Sequence, residues 1–328
     1  MARRTAALSA ATFEERFEAL VTNVERVIQG KRDVVRLALT CLVADGHLLI
    51  EDVPGVGKTM LAKAMARSID GTWHRIQFTP DLLPSDVTGV SVWNRATDEF
   101  EFRPGGVFAN IVLADEVNRA SPKTQSALLE AMEERQSTVD VVTHALPRPF
   151  MVIATQNPIE YEGTYPLPEA QLDRFLMRIQ MGYPDRAAGI DILETHGVEE
   201  PVDDLTPVLT AADVVTMAEA VTGVYVAPSL KGYIVDVAEA TRRERDLTLG
   251  VSPRGALALQ RAARAYAASS GRDYVIPDDI KLLAGSVLEH RLILSPESQL
   301  RGGTAESVLL GVLERIPVPS VRAGTGAS

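Results

Sequence analysis

The run from Glu51 to Thr59, EDVPGVGKT, constrains this chain more than any other stretch. It follows the apolar residues His47 to Ile50 and precedes a helical pattern beginning at Met60, the strand, glycine-rich turn and helix order of a phosphate-binding loop. Backbone N–H groups around Gly55 to Lys58 would face inward and, with the positive end of the following helix, form a cradle for nucleotide phosphates. The candidate ATP-binding residues are therefore Asp52, Val53, Pro54, Gly55, Val56, Gly57, Lys58, Thr59 and Met60. Lys58 would reach the β- and γ-phosphates, and the Thr59 hydroxyl would ligate Mg²⁺. One position departs from the GxxxxGK[ST] pattern, because Asp52 stands where the first glycine is usual. Asp tolerates strained or left-handed backbone better than most residues, so the loop remains buildable, with an added carboxylate as a mild electrostatic cost. Taken alone, the run could still be a glycine-rich turn at a helix start.

A second apolar run, Ile111 to Ala114, ends in Asp115-Glu116. An unbroken apolar row suits a strand buried on both faces of a parallel sheet, and its C-terminal end opens into the crevice where such sheets bind ligands. Asp115 is the expected Mg²⁺ partner beside Thr59, and Glu116 the group that polarises the water attacking the γ-phosphate. Glu130 and Glu133, on the helix that follows, are the next candidates for that base. A third run, Phe150 to Thr155, ends in Gln156-Asn157-Pro158; an amide there can hydrogen-bond both the water and a phosphate oxygen.

Further on come PLPEAQLDRF, Pro166 to Phe175, and GVSPRG, Gly250 to Gly255. With these, the ordered set resembles an AAA+ ATPase, and within that superfamily it is similar to the MoxR group over nearly the whole chain. The resemblance implies an α/β core, a parallel sheet flanked by helices, followed by a small all-α lid. It also implies the sensor-1 role for Asn157, the arginine finger of a neighbouring subunit for Arg174, and sensor 2 on the lid for Arg254. Asp at the first loop position occurs in some MoxR proteins. Read locally, Arg174 could instead be a surface arginine paired with Asp173 or Glu169, and Arg254 a charge in a first helical turn, where the dipole disfavours it.

With 328 residues the chain exceeds what a single core usually holds, so a nucleotide domain over 1–183 and a lid domain over 184–328 are expected, divided at Tyr183-Pro184-Asp185. Helical patterns cover Phe13 to Gln29 and Lys31 to Ala44, separated by Gly30 as a C-cap, then Ser121 to Arg135. Beyond the boundary, patterns begin at Ala187, Ala211, Ser229, Pro253, Pro277 and Thr304. The turn-rich stretch about 79–106 corresponds to the insert that MoxR proteins carry, and 137–147 alternates like a hairpin. The tail from Pro317 reads as disordered.

Net charge is −11 without a basic run, which argues against a sequence-independent nucleic-acid binder. The five histidines share no ligand-like spacing, and Cys41 sits in an amphipathic pattern as a small apolar residue. No segment reaches the apolar length of a membrane span, and the opening lacks a signal-peptide core, so a cytoplasmic protein is expected. By resemblance the chain would be an ATPase that assembles into a homo-oligomeric ring, a hexamer by AAA+ habit, and remodels a protein client in maturation or cofactor insertion. A partner bearing a von Willebrand factor A domain would fit that class. The alternatives are a magnesium-chelatase-like subunit driving metal insertion, or a DNA motor. The hairpin STVDVVTHALP has no Lys or Arg, which counts against the motor.

Overall fold

Short apolar strands set the centre of the molecule, whose computed structural model describes residues 8–157, 164–184, 186, 189–190 and 202–319. Strands β1 (Leu48–Glu51), β2 (Trp73–Gln77), β5 (Ile111–Asp115), β8 (Met151–Gln156) and β9 (Met177–Ile179) form a parallel sheet in the order β2-β5-β8-β1-β9. Alternate residues feed two apolar layers. Leu48, Ile50, Ile111, Leu113 and Ile153 join one cluster, whereas Leu49, Val112, Ala114, Val152 and Ala154 join the other. Both faces are thus covered, which explains why β1, β5 and β8 read as unbroken apolar runs. The edge strand β2 has one side open and correspondingly mixes polar residues into its sequence.

On the first face lie α1 (Ala10–Glu25), whose Ser9 cap accepts from the Thr12 N–H at 3.1 Å, then α2 (Arg32–Val43) and α3 (Lys58–Ser68). Helix α1 ends at Glu25 with Arg26 as its C-cap, four residues before the expected Gly30 cap; Gly30, φ +68, instead supplies a left-handed turn in the short connection to α2. The stretch from 79 to 106 folds as α4 (Pro84–Thr88) and the antiparallel pair β3 (Val90–Asn94) and β4 (Glu99–Arg103). Helix α5 (Pro122–Glu134), capped by Ser121, packs on the second face and leads into the hairpin β6 (Gln136–Val139) and β7 (Val142–Ala145). A short α6 (Glu169–Leu172) precedes β9.

The C-terminal part holds α7 (Ala211–Thr222), α8 (Pro228–Arg243), α9 (Pro253–Ser269), α10 (Pro277–Leu288), α11 (Pro296–Leu300) and α12 (Ala305–Arg315). Among the described residues it is helical apart from a small antiparallel pairing, β10 (Leu247–Leu249) with β11 (Ile293–Leu294), and an isolated parallel bridge between Tyr225 and Tyr274, neither of which the expectation of an all-helical lid included. The helix expected from Ala187 lies largely outside the described residues, as does the tail beyond 319. The first apolar cluster does not stop at the expected boundary. It runs from Phe13 and Leu39 through Ile50 and Leu61 to Leu259 and Leu283, with α1 and α2 packed against α9.

Candidate nucleotide site and arginine face

β1 lies between β8 and β9, so the loop leaving its C-terminal end opens between neighbouring strand tips. The left-handed backbone of this loop falls at Gly55 (φ +84) and Gly57 (φ +94), not at Asp52, and Gly57 is the cap from which α3 starts. Asp52 earns its place through its side chain. Its Oδ1 accepts from the Val53 N–H at 2.8 Å and its Oδ2 from the Gly182 N–H at 2.6 Å, tying the loop to the turn beyond β9. The Asp52 N–H donates to the Gln156 carbonyl at 3.2 Å, extending the pairing with β8 by one residue. Lys58 Nζ donates to the Asp52 carbonyl at 2.8 Å and closes the loop on itself. Burial draws the Lys58 ammonium below the ordinary lysine range, opposed by the charges of Asp115, Asp52 and Glu116.

The acid pair is held by its neighbours. Asp115 Oδ1 accepts from Thr155 Oγ1 at 2.6 Å, and Oδ2 accepts from Arg75 Nη2 at 2.6 Å and Nε at 3.1 Å. The Thr155 oxygen in turn accepts from the Glu116 N–H at 2.9 Å. Glu116 adopts φ +56 and ψ +49, a conformation that costs a non-glycine residue about 1–2 kcal/mol. Strain of this kind concentrates where a side chain must be aimed. The Glu116 Oε2 accepts from Gln77 Nε2 at 2.9 Å and Arg119 Nη1 at 3.2 Å. Gln77 is itself oriented by Arg75, whose Nη2 donates to Gln77 Oε1 at 2.6 Å. Asn157, buried at the tip of β8, stands one residue beyond the Glu51–Gln156 register pair.

These residues suit a nucleotide with Mg²⁺. The ion takes oxygen donors, keeps part of its water shell and shares phosphate oxygens, needing only one or two carboxylates from the protein. A hydroxyl at Thr59 and a carboxylate at Asp115 are donors of that kind, and among the described residues no cluster of three or more His, Cys, Asp or Glu offers a cage instead.

The two arginines lie elsewhere. Arg135, which follows α5, donates to the Asp45 carbonyl at 2.6 Å and to that of Phe150, residues that precede β1 and β8. The last turn of α5 is therefore at the N-terminal end of the sheet. There Arg174 Nη1 donates to the Leu129 carbonyl at 2.7 Å and pairs with Glu133 Oε2 at 2.8 Å, while Arg254 Nη1 pairs with Glu133 Oε1 at 3.2 Å. A four-residue strand rises about 13 Å, and the phosphate loop sits at its far end. Neither local partner considered for Arg174 engages it. The Asp173 carboxylate turns toward the lid, where Oδ1 accepts from Arg291 Nε at 2.6 Å and Oδ2 from Ser252 Oγ at 3.1 Å. Arg291 is buried and also donates to the Phe175 carbonyl at 2.7 Å; burial lowers its pKa, with the hydrogen bond to Asp173 opposing. Glu133 thus stands with the arginines, away from the position of a base.

Arg75, Gln77, Thr155 and Arg291 were not legible as site residues, since each acts through a partner distant in sequence; Glu133 and Asp173 were read in other roles, as an alternative base and as a local partner of Arg174, and the structure instead pairs Glu133 with both arginines and Asp173 with Arg291. The one sequence cue was the i, i+2 spacing of Arg75 and Gln77 on a strand edge, which acquires meaning only with the register Gln77 to Asp115.

Residues 47–177 match the model of the ATPase family associated with various cellular activities (AAA), and residues 239–310 match the AAA lid domain. The chain is 54% identical to the uncharacterized protein YeaC of Bacillus subtilis over 302 residues, 92% of this chain and 94% of that protein. It is 42% identical to Chaperone MoxR1 of Mycobacterium tuberculosis over 315 residues, 93% of this chain and 83% of that protein. A crystal structure from Cytophaga hutchinsonii superposes with a TM-score of 0.89 at 37% identity, covering 95% of this chain and 97% of that one. Phosphate loop, acid pair, strand order, lid and relatives agree, and the chain belongs to the MoxR family of AAA+ ATPases.

Proposed function

We propose that this protein binds ATP with Mg²⁺ and hydrolyses it within a head-to-tail ring of identical subunits, a hexamer by AAA+ habit, remodelling a protein client in the cytoplasm. The observation that carries this reading is the separation of the site residues. Lys58, Asp115, Glu116 and Asn157 gather at one end of the sheet, and Arg174 with Arg254 at the other. One subunit then holds both halves of a site but cannot bring them together, whereas a heterologous contact repeated around a closed ring can. Arg254, assigned to the lid's sensor role by resemblance, would on this reading act beside Arg174 on a neighbour's nucleotide.

In the composite site the loop N–H groups and Lys58 would hold the phosphates, and Thr59 and Asp115 would hold the metal. Bound Mg²⁺ supplies charge neutralisation on the phosphate oxygens. Glu116 takes the proton of the attacking water and the Asn157 amide orients that water. The arginines stabilise charge on the transferred group. An exposed Trp93–Phe100 pair on the β3–β4 hairpin, ring centroids 5.0 Å apart, and the fully projecting Val141 at the tip of β6–β7 favour a protein client over nucleic acid. Maturation or cofactor insertion, with a von Willebrand factor A domain partner, is the biological output proposed here. No helix among the described residues is long and apolar enough to cross a membrane.

The test is complementation. Arg174→Ala should bind ATP almost normally and turn over about 10³-fold more slowly or worse. Lys58→Ala should lose nucleotide binding. Mixing the two should restore turnover, since Lys58→Ala subunits still present Arg174; absence of rescue, with turnover independent of protein concentration, would rule the ring mechanism out.

A further inference from the structure

Two guanidinium groups from different parts of the chain share a single carboxylate. Glu133 gives one oxygen to Arg174, from the segment before β9, and the other to Arg254, from the first turn of α9. Side by side and unpaired, two such cations would repel each other and splay apart. The carboxylate between them removes that repulsion and fixes their spacing at its own bite, which is close to that between two oxygens of one phosphoryl group. A second acid sets the depth. Asp173, next in sequence to Arg174, is clamped by Arg291 and by Ser252, the cap of the helix that carries Arg254.

The two acids differ in exposure, and this separates their roles. Arg291 is only 3% exposed in its side chain, so its pairing with Asp173 is a fixed joint between core and lid. Glu133, Arg174 and Arg254 are 36%, 30% and 48% exposed, where ion pairs are weak and exchange readily for another anion. A contact that weak adds little to folding, yet it is strong enough to bias where two long side chains point.

Resting on the ring reading above, we propose that Glu133 is a positioning residue that templates Arg174 and Arg254 as a two-armed grip, which the γ-phosphate of the neighbouring subunit then takes over. Glu133 touches no reacting atom in this account. Its carboxylate holds the arms at phosphate spacing until a phosphate replaces it.

Glu133→Gln tests this, because the amide keeps the shape and loses the charge. Expected is a fall in kcat of about tenfold, within the roughly hundredfold that a 1 Å misplacement can cost. KM for ATP and the thermal midpoint should stay unchanged, and Glu133→Asp should recover part of the rate. The effect must also be supplied from the arginine side: mixing Glu133→Gln with Lys58→Ala should raise turnover, because the Lys58→Ala neighbour offers an intact grip. Unchanged or increased kcat in Glu133→Gln would overturn templating, an increase marking Glu133 as a brake. If the Arg174→Ala and Lys58→Ala mixture shows rescue while Glu133→Gln is silent, only the templating fails; if that mixture shows none, the ring reading itself has failed.

Discussion

The two ends of the parallel sheet are built on different principles. At the C-terminal end, the candidate phosphate cradle is built from backbone: a loop with left-handed glycines, a helix start and strand tips, with side chains fixed over short range. At the N-terminal end, the arginine face is made of side-chain ion pairs spanning α5, the segment before β9 and two lid elements. A backbone cradle is set once the strand and helix form. A grip made of long side chains depends on how core and lid are docked, so it is the end that can respond to a conformational change.

The sharpest way to break this contrast is at the base. Glu116→Gln should keep ATP binding and lower kcat by about 10²–10⁴-fold, the range that general-base loss spans. Its arginine end is intact, so it should still act as donor to Arg174→Ala subunits in a mixture. A Glu116→Gln protein that turns over within a few fold of wild type would move the base elsewhere.

Arg291→Ala addresses the other end. Removing one partner of a buried pair leaves Asp173 uncompensated, a loss of about 3–5 kcal/mol, discounted here because Asp173 is partly exposed. Denaturant unfolding should register the loss, while ATP affinity, set at the opposite end of the sheet, should hold. Equal losses in both would show that the ends are not separable.

The smallest effect is in pH. His47 lies beneath the last turn of α5, its Nε2 facing the Met132 carbonyl at 3.0 Å and its Nδ1 accepting from the Val152 N–H at 2.9 Å. Burial, aided by the Arg135 charge, pushes its pKa well below 6.5. The folded state therefore stays neutral where the unfolded chain takes up a proton, so the stabilisation is full above about pH 6.5 and is lost as pH falls. The slope is about 1.4 kcal/mol per pH unit at most, and His47→Gln should flatten it in unfolding experiments between pH 5 and 8. Buried His290 contributes with the same sign, which leaves some slope in the variant.

The same contrast explains what could be read from the sequence. The loop, Asp115, Glu116 and Asn157 are each defined by a few consecutive residues after an apolar run, so local pattern sufficed to place them. The 137–147 hairpin showed in its alternation, whereas 79–106 showed only as a turn-rich insert and its β3–β4 pairing was not foreseen. The grouping of Arg174 with Arg254 did not show, because their shared partner Glu133 is remote in sequence from both. The β10–β11 pairing was too short to leave a period. Asp52 was legible as an oddity, but its reason was misread: backbone tolerance was expected, and a side-chain tether was found.

That tether has a mechanical consequence. Gly182, φ +64, is the left-handed turn just beyond the edge strand β9. With Asp52 Oδ2 bonded to its N–H, the loop after β1 and the turn after β9 share one anchor, so displacing either must stretch or release that bond. The carboxylate that looks misplaced in a phosphate cradle is thus a tie rod, bracing the glycine-rich loop against the edge of the sheet.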